Sequence, residues 1–249
     1  MTTTRRWLIA LAVATFVAFL ALSAPATLVS DRLSAADSAL TLTGVSGTAW
    51  RGHAGQVRYG QVAVGTLDWR LAGARLLVAQ GAAHLALVGP DLRLSLDAQH
   101  ALFGGRTRIA DAVGTLPLAL LAELSGARGP IDARVELEGV SFTLNGEAVE
   151  HAEGRVRLRD TVVLAPRRYA LGSYLLELSA VDGWLVATVV EADGPLALAG
   201  FVRLRGDGRW EMDARARAAE ANSQFSLVLQ LLGEPDADGY RPLRLSGQL

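Results

Sequence analysis

The chain has 249 residues and no cysteine, so its fold uses no disulfide, no thiolate metal site and no cysteine nucleophile. Its 24 basic residues, all arginine, are balanced by 25 acidic ones for a net charge of −1, which with no dense basic run argues against a nucleic-acid partner. With 51% apolar residues, the length is ample to bury a core without staples.

The N-terminus reads as a membrane segment. Trp7 to Ser30 carries no charge, and Trp7 to Leu22 has Thr15 as its single polar residue. A bilayer core of about 30 Å needs roughly 20 mostly apolar helical residues, and this run is long enough. Arg5 and Arg6 just before it hold the N-terminus on the cytoplasmic side and send the rest across. A cleaved signal peptide is the alternative, because Ala24-Pro25-Ala26 also fits a small-x-small cleavage site. The length of the run favours a retained anchor, and either way the body is exported. The expected division is residues 1–30 as cytoplasmic tip and anchor, and 31–249 as one exported β domain.

Ser30 to Ala39 can continue as a short helix, and from Leu40 the apolar period becomes two. Leu67, Trp69 and Leu71 alternate with Asp68 and Arg70, and Leu92, Leu94 and Leu96 with Arg93 and Ser95. Ala133, Val135 and Leu137 alternate with Arg134 and Glu136, and Val156 and Leu158 with arginines. Such runs mark antiparallel strands with one apolar and one wet face. Asn145-Gly146, Asp182-Gly183, Asp193-Gly194, Asp207-Gly208 and Asp238-Gly239 supply the positive φ of tight turns. The C-terminal half therefore reads as hairpins over Tyr174–Val181, Trp184–Glu191, Leu196–Arg205, Arg209–Ala218, Phe225–Leu232 and Arg241–Leu249. Trp184 and Trp210, just after their turns, are expected to anchor strands in the core.

One interior stretch has helical spacing. Leu116, Leu120, Leu121 and Leu124 predict a helix over Thr115–Leu124, with Thr115 as N-cap, Pro117 in the first turn and Gly126 and Gly129 closing it. The expected fold is mainly β: a transmembrane helix, then an elongated antiparallel meander with one short interior helix. An open curved sheet and a sandwich both fit the pattern, and the open sheet is preferred.

No constellation of catalytic residues emerges. His53, His84, His100 and His151 lie far apart without ligand spacing, and read as individually satisfied side chains rather than metal ligands. Arg134, Glu136 and Glu138 read as an outward ladder of charges. Ser46 and Ser173 lack the Gly-x-Ser-x-Gly elbow, and no phosphate-binding glycine loop precedes a helix. No enzyme, no cofactor and no metal is expected.

The string Gly47-Thr48-Ala49-Trp50-Arg51-Gly52-His53-Ala54 is the most distinctive of the chain. Two glycines framing Trp50 predict a bend packed closely around a buried indole. A fainter echo follows in Gly65-Thr66-Leu67-Asp68-Trp69. Together with the Gly114–Leu124 stretch, Leu171-Gly172-Ser173-Tyr174 and the closing Gly247-Gln248-Leu249, these strings resemble the type II secretion system protein N (general secretion pathway protein N) family. The resemblance implies a single-pass inner-membrane protein with a periplasmic domain, accessory to a machine that exports folded proteins across the outer membrane. It implies inner-membrane platform proteins as partners, with the outer-membrane secretin as a further candidate. It brings no catalytic residues; Gly47, Thr48, Trp50, Gly52, Ala54, Gly65 and Trp69 match its pattern as fold-defining positions and a candidate docking surface. The same alternation also suits a periplasmic lipid-binding or lipid-bridge protein with an apolar β groove.

Overall fold

The computed structural model describes residues 25–27, 39–73, 80–101, 104–125, 130–164, 168–219, 229 and 233–248. The apolar run Trp7–Leu22, all of the Ser30–Ala39 stretch but Ala39, Gly126, Gly129 and nearly all of the Phe225–Leu232 stretch lie outside them. Among the described residues no helix is long and apolar enough to cross a membrane.

The alternating segments form β1 (Leu40–Gly47), β2 (Arg51–Tyr59), β3 (Val62–Leu71), β4 (Gln80–Val88), β5 (Arg93–Ala101), β6 (Arg106–Pro117) and β7 (Ile131–Asn145). They continue as β8 (Ala148–Val163), β9 (Tyr169–Val181), β10 (Trp184–Asp193), β11 (Leu196–Leu204), β12 (Arg209–Ala218) and β13 (Arg241–Gln248). Among the described residues all pair antiparallel in chain order as one 13-stranded sheet with β1 and β13 at its ends. This is a meander in which every strand finds its sequence neighbour.

Cross-strand registers carry one apolar face through the sheet. Val45 faces Ala54, Ala54 faces Leu67, Leu67 faces Leu87 and Leu87 faces Leu94. Leu137 faces Val156, which faces Leu176, which faces Val189. Farther on, Val202 faces Met212 and Met212 faces Leu245. The polar residues between these positions take the opposite face, as a period of two requires.

The sheet bends where glycines replace side chains. At Gly114 (φ +152°) a Cβ would lie 2.0 Å from the Arg93 carbonyl oxygen, and at Gly200 (φ +137°) 2.4 Å from that of Asp213. Only glycine admits such close backbone approach inside a ladder. Asp111 and Asp160, both with positive φ, stand at register shifts of β6–β7 and β8–β9. Gly139 marks another, after which the buried positions of β7 pass from Ala133 and Val135 to Val140 and Ser141. Strict alternation does not foresee that change of parity, because the extra residue of a bulge carries no hydropathy signal.

The helix α1 (Leu118–Ser125) packs on β3, β6 and β7, so it bridges the concave side of the sheet. Leu118 and Leu120 join a core formed by Val57, Val64, Trp69, Leu92, Leu116 and Val135. The expected start at Thr115 is corrected: β6 runs on through Pro117, with Leu116 opposite Val135 and Pro117 opposite Arg134. Burying Leu116 against Val135 keeps this segment extended, and that outweighs a Thr115 cap.

The hairpin turns fall where the dipeptides predict. Asp182 (φ 51°) and Gly183 (φ 81°) join Val181 to its partner Trp184, the two-residue turn with both φ positive. Trp184, however, is not a core anchor. It shares the outer face with Arg203, whose guanidinium lies 4.7 Å from the ring centroid, with Arg205 at 5.8 Å. A cation–π stack covers this indole on the outer face. Trp210 is partly buried against Gly247, on the apolar face.

Tyr174 holds β9 to the start of β11. Its hydroxyl lies 2.9 Å from the carbonyl oxygens of both Leu171 and Leu196, and burial pushes its pKa up to about 12. The folded state keeps this phenol neutral while the unfolded chain ionises it near pH 10, so stability present below pH 10 is lost as pH rises through 12. Chemical denaturation should show this decline, on the order of 2 kcal/mol between pH 10 and 12, and Tyr174→Phe should flatten it. An unchanged alkaline slope in that variant would assign the decline to other groups.

Candidate functional site

The distinctive string forms the turn between β1 and β2. Gly47 closes β1 at φ +91°, where a Cβ would sit 2.5 Å from the Arg51 carbonyl oxygen. Thr48 pins the turn: its N–H donates to Arg51 O at 2.9 Å, and Arg51 N–H donates to Thr48 Oγ1 at 3.2 Å. Leu71 N–H donates to Trp50 O at 2.7 Å, tying the turn to the end of β3. Local side-chain capping, a positive-φ glycine and the long-range tie from Leu71 together define the corner.

The buried indole belongs to Trp69, and the expectation for Trp50 is corrected. Trp69 is 3% exposed, and its Nε1–H donates to Ala49 O at 3.1 Å. It lies flat on Gly52, where a Cβ would come within 2.2 Å of Trp69 Cζ2. Gly52 is therefore glycine because the indole of the next strand occupies its side-chain space. Trp50 is half-buried, with its ring edge against Gly73. Ala54 is fully buried (0%) in the same core, opposite Leu67. Gly65 (φ +139°) lets β3 approach the end of β4, where a Cβ would lie 2.2 Å from Val88 O. The structure thus brings Gly47, Thr48, Trp50, Gly52, Ala54 and Trp69 to one corner and places Gly65 four residues before Trp69 on β3. The two similar strings are partners across a ladder, with Gly52 directly opposite Trp69.

The chain enters at this same corner. Ala26 N–H donates to Gly47 O at 3.3 Å, and Pro25 bridges to Thr48. Ala26 itself is buried in the core beside Ala54.

The outer face carries the charges. Arg159 lies 2.6 Å from Glu136, Arg157 3.5 Å from Glu138, Arg155 3.2 Å from Glu177 and Arg203 2.5 Å from Glu211. The side chains are largely exposed, so the ladder sets register and solubility more than stability. Glu150 accepts from Asn145 and Arg106, whose hydrogen bonds hold its pKa below the usual carboxylate range. Asp207 is lowered likewise by hydrogen bonds from the backbone and side chain of Arg209.

One contact escaped sequence reasoning. Ser95 Oγ lies 3.4 Å from His84 Nε2, and His84 Nδ1 lies 2.9 Å from Asp97 Oδ1. The connectivity is that of a nucleophile, base and orienting acid, but the His84 and Asp97 side chains are about half exposed, each at 48%. β5 lies between β4 and β6, and its ladder with β6 shifts register between Ser95 and Asp97, beside this contact. Nothing in the spacing of His84 and Asp97 reveals their meeting; only the β4–β5 register does. Among the described residues no three His, Asp or Glu side chains gather as metal ligands. Among the described residues, open clefts of about 700 Å³ beside Phe201, Asp213 and Tyr240 and about 410 Å³ beside His100, Arg106 and His151 have mixed polar and apolar linings. What the arrangement offers is a hydrogen-bonded corner, one apolar face and one charged face.

This sheet, from the strand before the corner to the last strand, coincides with a family match. Residues 38–244 fit the family described as Type II secretion system (T2SS), protein N. The chain belongs to the type II secretion system protein N family. Among its relatives is the type II secretion system protein N of Aeromonas hydrophila, 25% identical over 247 residues, covering 96% of this chain and 97% of the relative. That of Vibrio cholerae serotype O1 (strain ATCC 39315 / El Tor Inaba N16961) is 25% identical over 234 residues, covering 84% and 85%. No solved structure matches the chain. For this protein N family member, the corner built by Gly47–Ala54 and Trp69 sits at the start of the matched region.

Proposed function

We propose that the chain is a non-enzymatic accessory component in the assembly of the type II secretion system, which exports folded proteins across the outer membrane. Residues 1–30 provide the cytoplasmic tip and inner-membrane anchor, and residues 31–249 form the periplasmic β domain. The observation that carries this reading is the family match over 38–244, which spans the antiparallel meander. Its partners are the inner-membrane platform proteins, with the outer-membrane secretin as a second contact. The corner formed by Gly47, Thr48, Trp50, Gly52 and Ala54 with Gly65 and Trp69 defines the fold at this end, pinned by local hydrogen bonds and core packing, and is a candidate docking surface.

A second reading, lipid carriage along the concave face, has one observation in its favour. Toward β13 the apolar ladder carries an exposed leucine: among the described residues Leu245, opposite Met212, is 51% exposed. One experiment separates the two. Cross-linking in intact cells, followed by purification and mass spectrometry of bound proteins and lipids, should recover platform components or the secretin. Deleting the gene should lower secretion of the system's substrates. Recovery of lipid without secretion components, with secretion intact, would replace the assembly role by the second reading.

A further inference from the structure

We propose that Arg51 and Arg70, with Trp50 beside them, dock the first hairpin on an anionic phospholipid surface, holding this end of the sheet against the membrane. The inference rests on the anchor reading of residues 1–30 and adds to it a contact made by the folded domain itself.

The first argument is where the chain enters. Ala26 N–H donates to Gly47 O and Pro25 bridges to Thr48, a few residues after the apolar run ending at Leu22. An extended residue spans at most about 3.5 Å, so the β1–β2 turn lies close to the bilayer surface. The opposite end of β2, at Tyr59, stands roughly 25 Å away along the strand.

The second argument is charge without a counter-charge. Arg51 stands directly opposite Arg70 across β2 and β3, and both are exposed. Like charges in facing positions repel, and a fold tolerates them where something neutralises them. The sheet has another such pair, Arg134 opposite Arg159, and there Glu136 sits 2.6 Å from Arg159. Among the described residues neither Arg51 nor Arg70 has an ion-pair partner. The neighbouring carboxylates are engaged elsewhere: Asp68 lies 2.9 Å from His53 and Asp97 2.9 Å from His84, the residue opposite Arg70. Two guanidinium forks with no carboxylate between them suit phosphate oxygens.

The third argument is Trp50, half-buried on Gly73 next to Arg51. A partly exposed indole beside cations matches the chemistry of the headgroup layer. Each arginine near an anionic leaflet multiplies surface partitioning by about fivefold.

The test uses the full chain inserted into vesicles of phosphatidylglycerol and phosphatidylethanolamine, and into vesicles of phosphatidylcholine. The chain has no cysteine, so Ala49→Cys and Gln61→Cys give single sites for a nitroxide at opposite ends of β2. In the anionic vesicles the label at 49 should be shielded several-fold from a water-soluble relaxation agent relative to that at 61. The shielding should be lost in phosphatidylcholine and in an Arg51→Gln/Arg70→Gln variant, whose melting temperature should equal or exceed the parent's as repulsion is relieved. Equal accessibility at both sites in inserted protein, or shielding that survives the double substitution, overturns the lipid contact and leaves the anchor standing. Failure of the chain to resist alkaline extraction overturns the anchor reading and this inference together.

Discussion

Trp69→Ala should lower the melting temperature by roughly 10 °C, the largest effect of any single substitution in the corner. The indole is 3% exposed in the core of Ala54, Val57, Val64 and Leu116, and removing such a side chain costs about 3–5 kcal/mol. Its loss also strips Ala49 O of the Nε1–H donor at 3.1 Å and leaves a void above Gly52, which has no side chain to fill it. Trp50→Ala should cost far less, about 1 kcal/mol, because that ring is only half-buried. Differential scanning calorimetry of the two variants checks the assignment. Equal losses, or a larger loss for Trp50, would mean that the core is centred on the other indole.

Gly65→Ala should be the second severe change. Its φ of +139° is a region that L side chains rarely adopt, and the added Cβ would meet Val88 O at 2.2 Å and Gly89 Cα at 2.8 Å. Both are backbone atoms, so no rotamer change relieves the contact; the β3–β4 ladder must open. We expect a loss of about 3 kcal/mol or more. Gly60→Ala is the matched control, since φ is +57° and no atom lies within 4 Å of the added Cβ. It should cost about 1 kcal/mol from backbone conformation alone. Similar midpoints in urea for the two variants would show that the close approach at Gly65 is not what constrains the sheet.

The strands and turns of this protein were legible because both signals are local. Alternation at Leu67–Leu71 and Ala133–Leu137 reports one buried face regardless of what covers it, and Asp182-Gly183 carries its positive φ within two residues. The helix was legible in its leucines but not in its start, since Thr115 and Pro117 read equally well as a cap and as a strand end. The corner string stands out, yet the indole buried there is that of Trp69 on the neighbouring strand and not Trp50 within the string. Gly52 is explained by Trp69, seventeen positions away, and no spacing rule connects them. The meeting of Ser95, His84 and Asp97 was invisible for the same reason.

By itself, then, the sequence determined an antiparallel meander with one apolar face, its turn positions and its family kinship, because periodicity and turn chemistry act over a few residues. The tertiary structure alone decided that the meander stays one open sheet, where the bulges at Asp111, Gly139 and Asp160 shift the buried face, and that α1 bridges the concave side. It also set which side chains become opposite neighbours, from Trp69 on Gly52 to Arg51 against Arg70. Those outcomes depend on register, and register is fixed only when the strands close on one another and bury their shared face.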